Sequence, residues 1–230
     1  MTTLRPAWLL ELPHSAYAPV HDLQRRCAAA RHSRRLERDL IIVTEHESVF
    51  TLGRRGSLNN LLVPREKLES QGIDIISVER GGDITYHGPG QLVVYPIYDL
   101  AAARCRVVEL VETLEEAMIR TAADWGVTAK GDNQQRGAWV GGRKLGSVGI
   151  TVRRSISFHG MALNVNTDLT PFTWLNPCGI PGCAMTSLAQ ETGHIIPMPS
   201  ASSRLTGHLA HLLGLELSPV SRAVVEELSG

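Results

Sequence analysis

Between the apolar stretches Ile73–Val78 and Gln91–Ile97 the chain places Arg80-Gly81-Gly82-Asp83-Ile84-Thr85-Tyr86-His87-Gly88-Pro89-Gly90-Gln91, five of whose twelve residues are Gly or Pro. So many breakers directly after one strand-like stretch and before another suit either a tight turn between strands or a ligand-lining loop. An ordinary hairpin turns within about two to five residues and needs no such cluster. Glycine allows backbone to approach a ligand closely, and Arg80, Thr85, His87 and Gln91 set donors and acceptors among the glycines. The spacing fits neither the dinucleotide fingerprint G-x-G-x-x-G nor the phosphate loop G-x-x-x-x-G-K-[ST]. The segment reads as a loop that lines a substrate.

Periodicity supplies the frame around it. Ala7–Leu12 reads as a first strand, followed by a helix capped by Ser15 and running over Tyr17–Leu36, with Val20, Leu23 and Cys27 at helical spacing. Leu40–Val43 and Val49–Leu52 are apolar runs of strand length, and Pro64 suits the first turn of a short helix that stops at Gly72. Val107–Trp125 carries apolar residues three and four apart and ends at Gly126. Lys144–Val152 and Ile156–Val165 form a hairpin about Arg153-Arg154-Ser155, and Ser203–Leu213 and Val220–Leu228 close the chain as helices. The expected fold is α/β of the α+β type: a mixed β-sheet with flanking helices packed largely on one side, in a single domain over residues 1–230. An apolar content of 43% against 20% charged residues suits a soluble protein with a core. Lys and Arg number 23, as do Asp and Glu, so a broad electrostatic grip on nucleic acid or anionic lipid is not expected. No apolar run approaches the roughly 20 residues of a bilayer span. The opening Met-Thr-Thr-Leu-Arg lacks a secretory pattern, and four cysteines form no disulfide framework, so the expected compartment is the cytoplasm.

Two further clusters stand out. Gly141–Ile150 is a glycine-rich strand in which Lys144 is the charge that enters an apolar context. A lysine in such a place snorkels to the surface or, in a cleft, carries protons. In Asn176-Pro177-Cys178-Gly179-Ile180 a cysteine sits on a rigid turn able to present its sulfur to a pocket. Attack by a thiolate needs a neighbouring cation, for which Lys144, His87 and His159 are the candidates. Cys27 and Cys105 read as small buried hydrophobes. Asn164, Asn166 and Asp168 read as a turn held by side-chain-to-backbone bonds. The Cys178–Cys183 spacing makes no zinc half-site and the nine histidines show no His-Glu-x-x-His pattern, so no metal is expected.

In this order the clusters resemble the lipoyl(octanoyl) transferase family. The likeness rests on Arg80–Gln91, on Gly-Arg-Lys at 142–144 and on Phe-His-Gly-Met-Ala-Leu-Asn-Val-Asn at 158–166, with Pro-Cys-Gly at 177–179 and Met-Thr-Ser-Leu at 185–188. Cys183 stands where the family does not usually have cysteine. The resemblance implies a fold like the catalytic domains of biotin and lipoate protein ligases. It implies transfer of an octanoyl or lipoyl group from acyl carrier protein to one lysine of a lipoyl domain, the first step of endogenous protein lipoylation. Cys178 matches the thioester cysteine and Lys144 the lysine that tunes it. Arg80, Gly81, Gly82, Asp83, Ile84, Thr85, Tyr86 and His87, then Ser147, Val148 and Gly149, then Gly160, Met161 and Ala162 match the stretches that line the acyl pocket; His159 and Gln91 are additional candidates. Amides near Gly179 or in the glycine loop are the expected oxyanion donors.

No cofactor is implied beyond the phosphopantetheine of the carrier. The implied acceptors are the lipoyl domains of 2-oxoacid dehydrogenase complexes and the glycine cleavage H protein, with no nucleic acid and no membrane. Arg54, Arg55, Arg153 and Arg154 are candidate docking residues for such acidic partners. The competing readings are an ATP-dependent lipoate–protein ligase, an octanoyl-relay amidotransferase and a non-catalytic binding module, all on the same fold.

Overall fold

The computed structural model describes residues 4–132 and 134–230. Met1–Thr3, with which the reading of the amino terminus begins, lie outside the described residues. The chain runs β1 (Arg5–Glu11), α1 (Tyr17–His32), β2 (Asp39–Thr44), β3 (Val49–Leu52), α2 (Arg65–Ser70), β4 (Asp74–Ser77), β5 (Ile84–His87) and β6 (Gln91–Ile97). It continues through α3 (Leu100–Ala103), α4 (Val107–Ala123), β7 (Lys130–Gly131), β8 (Gly137–Val140), β9 (Arg143–Arg153) and β10 (Ile156–Asn164), and ends with α5 (Leu188–Thr192), α6 (Met198–Leu213), β11 (Leu215–Pro219) and α7 (Arg222–Ser229).

An eight-stranded sheet has the order β11-β1-β2-β6-β10-β9-β8-β7, and β4-β3-β5 form a second sheet of three strands. β1 lies parallel to both β11 and β2, whereas β2, β6, β10 and β9 pair antiparallel, so the large sheet is mixed as expected. The β9–β10 hairpin turns where expected. Arg154 and Ser155 both take positive φ, 50° and 67°, which matches the right-handed twist of the strands it joins.

Helices cover both faces of this sheet, where the sequence suggested mainly one. Leu40, Ile42, Val93, Tyr95, Ile97 and Phe158 pack with Val20, Leu23 and Cys27 of α1 and Val225 of α7. The alternating partners Ile41, Val43, Leu92, Val94, Met161 and Leu163 pack instead with Leu110, Leu114 and Met118 of α4 and Leu205 and Leu209 of α6. A strand apolar on both faces needs cover on both. Helix α1 stops at His32 rather than Leu36, and Ser15 does not cap it, because its hydroxyl donates to the Pro13 carbonyl. Strands β7 and β8 and the short helices α3 and α5 were not expected, and neither were β5 and β11. β5 lies inside the glycine segment, and β11 is a short edge strand with little apolar signal.

β10 approaches β6 so closely that Gly160 has no room for a side chain: a Cβ there would lie 1.9 Å from the Val94 carbonyl oxygen and 2.9 Å from Pro96 Cδ. Both obstacles belong to backbone or ring and cannot swing away. Gly160→Ala is expected to destabilise the protein by about 3 kcal/mol or more. A shift of the urea midpoint worth less than about 1 kcal/mol would contradict this contact.

Candidate active site

β9 carries Lys144 into the interior with only 1% of its surface exposed. Its backbone is clamped from outside the sheet: Lys144 N–H donates to the Ala184 carbonyl (2.8 Å) and the Lys144 carbonyl accepts from Thr186 N–H (2.9 Å). The same clamp anchors the end of the loop that carries Cys178. That cysteine occupies a left-handed conformation, φ 58°, in the turn Pro177–Gly179. Gly179 follows at φ 72°, and a Cβ there would fall 2.7 Å from Asp83 Oδ2, so a second left-handed residue in this place has to be glycine. The result is a donor–acceptor pair across 34 residues of sequence: Lys144 Nζ donates to Cys178 Sγ at 3.3 Å. The Trp139 ring lies 5.1 Å from the same ammonium. Of the three cations the sequence offered as partner, the lysine is the one the fold places in hydrogen-bonding contact with the thiol.

Cys178 opens on a cavity lined by Arg80, Gly81, Gly82, Thr85 and His87 from the glycine segment and by Ser147, Val148 and Gly149 from β9. His159, Gly160, Met161 and Ala162 of β10 complete its expected wall. Four other expected residues do not line it. Strand alternation turns Thr85 and His87 toward the cavity and Ile84 and Tyr86 into a separate core with Phe50 and Phe172. Asp83 braces the loops instead, accepting from Ile84 N–H, Ser57 N–H and Asn60 Nδ2. Gln91 acts one step behind the wall: it bonds His87 Nδ1 through Oε1 at 2.7 Å and donates through Nε2 to Asn164 Oδ1 at 2.9 Å. Asn164 in turn donates to the Thr186 carbonyl, so the Asn164–Asp168 run is more than a turn at its first residue. Asn166 and Asp168 do make side-chain bonds to backbone, at Ile196 and Thr170.

Tyr17, Val93 and Tyr95 also line the cavity, and sequence reading missed them. The available signal was a phenol within the otherwise apolar β6. Burial pushes the Tyr17 and Tyr95 phenols above their ordinary range. Arg80 is held by Thr51, whose carbonyl accepts from its guanidinium at 2.7 Å. Burial lowers its pKa, opposed in part by Tyr17 and Cys178. The Gly179 amide, an expected oxyanion donor, is engaged with the Asn176 carbonyl at 2.9 Å. Cys183 is near enough to feel both Lys144 and Cys178, but burial keeps its thiol above the ordinary value. Arg54, Arg55, Arg153 and Arg154 are exposed.

Two buried imidazoles beside the cavity are held neutral. Burial lowers His46 from 6.5 to about 4 and His87 from 6.5 to about 3. Both bind fewer protons folded than unfolded across that interval, so stability is full above pH 6.5 and falls as pH falls toward 4 and then 3. The His46 shift alone is worth about 3 kcal/mol at about 1.4 kcal/mol per unit. The expected result is a falling urea midpoint from pH 6.5 to 4.5 that is shallower in His46→Gln; equal slopes in the two proteins would refute it.

Over residues 17–210 the chain matches the family described as the lipoyl protein ligase A/B catalytic domain. It is 46% identical to the octanoyltransferase of Desulfotalea psychrophila over 210 residues, covering 90% of this chain and 94% of that one. The chain belongs to the octanoyltransferase family. Members of that family are acyltransferase enzymes. The octanoyltransferase of Syntrophobacter fumaroxidans is 41% identical, with 91% of each chain covered. Among solved structures, a lipoate-protein ligase A bound with ATP superposes with a TM-score of 0.74 at 15% identity, covering 98% of this chain and 92% of that one. A biotin protein ligase from Aquifex aeolicus in complex with biotin and ATP gives 0.53 at 12% identity, over 90% and 70%. At such identities these structures speak for the fold alone, which is the mixed sheet with flanking helices expected of the family.

Proposed function

We propose that this octanoyltransferase moves an octanoyl or lipoyl group from acyl carrier protein to a lysine of lipoyl domains, by way of a thioester on Cys178. The observation that carries the reading is the 3.3 Å hydrogen bond from a nearly fully buried Lys144 to the Cys178 sulfur, at the mouth of a cavity. The lysine faces the sulfur that has to attack, and the attacking species is the thiolate. Thiolate Cys178 adds to the donor thioester; the carbonyl reforms as the carrier's sulfur leaves, taking the Lys144 ammonium proton to depart as thiol, and sulfur-to-sulfur exchange keeps the acyl group activated. Lys144, as amine, then takes a proton from the acceptor's ammonium so that its nitrogen can attack; Cys178 leaves as thiolate and the new amide nitrogen releases its second proton to water. The octanoyl tail lies along Val93, Val148, Met161 and Ala162, where each buried methylene contributes about 0.8 kcal/mol. Gly179 serves the oxyanion only by giving up its bond to Asn176, so the glycine segment is the better source of donors.

The enzyme needs no cofactor of its own on this route, works as a single catalytic domain in the cytoplasm, and finds its acceptors on 2-oxoacid dehydrogenase complexes and the glycine cleavage H protein. Exposed Arg54, Arg55, Arg153 and Arg154 steer these acidic partners. No described helix is long and apolar enough to cross a membrane.

Intact-protein mass after mixing with octanoyl-acyl carrier protein, without ATP, tests the route. One octanoyl group is expected, mapping to Cys178 and discharged on adding apo lipoyl domain. Absence of the adduct, with transfer arising only from free octanoate and ATP, would assign the chain to ligase chemistry instead.

A further inference from the structure

At the edge of the cavity, where His159 forms part of the wall, three donor side chains that lie far apart in the sequence meet. His21 comes from α1, Glu79 directly precedes the glycine segment, and His159 comes from β10; one ligand atom of each lies within 4.8 Å of the other two. His21 Nε2 is 2.7 Å from Glu79 Oε2, and His159 Nε2 is 3.5 Å from the same oxygen. These separations bracket the roughly 3.4 Å between two ligands of a tetrahedral zinc ion with bonds of about 2.1 Å.

His159 supplies the independent sign of a ligand. It is 1% exposed, and neither of its ring nitrogens makes a hydrogen bond among the described residues. A buried imidazole left this way is costly and rare. Its backbone adds to the cost, with φ at 57° in the middle of a strand, in the left-handed region that a non-glycine residue rarely takes. The opposite oxygen of the carboxylate, Oε1, faces the guanidiniums of Arg25 at 3.5 Å and Arg153 at 3.8 Å. They orient the carboxylate so that Oε2 points at the two imidazoles, the task of an outer-shell partner in a metal site, although their charge weakens the hold on a dication.

We propose that His21, Glu79 and His159 form a binding site for a divalent transition-metal ion of the zinc class. Two imidazoles and one carboxylate oxygen are a borderline donor set that suits such an ion and not magnesium or calcium. The ion would staple α1 to β10 and to the root of the glycine segment at Arg80, making it a structural element beside the cavity and distinct from the Lys144–Cys178 pair. This inference is independent of the proposed acyl transfer.

Metal-free full-length protein titrated with Zn²⁺ by calorimetry, and with Co²⁺ by absorption, tests it. The expected result is one equivalent bound, with cobalt ligand-field bands and no sulfur-to-metal charge-transfer band; that absence separates the site from Cys178 and Cys183. Zinc is expected to raise Tm, and His21→Ala and Glu79→Gln each to weaken binding at least tenfold with unchanged circular dichroism. His21 lies at the rim, 14% exposed, so its variant should fold even if a His159 variant does not. No binding, binding held within twofold in both variants, or a thiolate charge-transfer band would each overturn the proposal and leave a histidine–glutamate–histidine cluster that shares protons.

Discussion

Replacing Cys178 with serine should reduce octanoyl transfer by about 10⁴-fold or more, in line with the loss of a nucleophile that works as a unit with its base. The substitution changes one atom on a half-exposed turn, so the fold should survive. A serine hydroxyl at the same place is far less ionised than a thiol, and its ester with octanoate is a poorer acyl donor than a thioester, so both halves of the reaction suffer. The two measurements are single-turnover transfer to apo lipoyl domain and intact mass after mixing with octanoyl-acyl carrier protein. Loss of both the adduct and the transfer is expected. Transfer retained within tenfold would show that the acyl group passes directly to the acceptor and would end the covalent reading.

Lys144 should give the same pattern, with activity lost while stability is kept. Burying an ammonium costs free energy, and its partners here are a sulfur at 3.3 Å and the face of Trp139. Lys144→Met fills similar space without the charge, so the urea midpoint should stay level or rise by about 1 kcal/mol. Acylation and transfer should fall by about 10²–10⁴-fold, the usual contribution of a positioned proton carrier. Lys144→Arg separates the two roles assigned to the side chain, because guanidinium retains the positive charge but does not act as a base at neutral pH. Thioester formation should therefore partly survive in Lys144→Arg while discharge to the acceptor lysine does not. A Lys144→Met protein that transfers at wild-type rate would remove the lysine from the reaction.

How far the sequence reached follows from which signals are local. The helix over Val107–Trp125, the strands over Val49–Leu52 and Gln91–Ile97 and the turn at Arg153–Ser155 were all legible, because periodicity and turn chemistry act over a few residues. The glycine segment was recognised as unusual, but its internal strand β5 was not; that strand decides that Thr85 and His87 face the cavity while Ile84 and Tyr86 face away. Ser15 has the chemistry of a helix cap and loses that role to a neighbouring carbonyl.

By itself the sequence determined that the chain would form a mixed sheet with flanking helices, where its breakers would fall, and that Lys144 and Cys178 stand in settings unusual for their types. The tertiary structure alone decided what meets. The fully apolar run of β2 implies burial but does not say which helices bury it, and the answer is α1 and α7 on one face and α4 and α6 on the other. Lys144 and Cys178 touch because the Ala184–Thr186 segment clamps against β9. Tyr17 and Tyr95 reach the cavity, and His21, Glu79 and His159 converge, only after α1 packs across β6 and β10. Such encounters depend on the stacking of apolar faces that are distant along the chain, and hydrophobic attraction is non-directional and carries no label naming its partner.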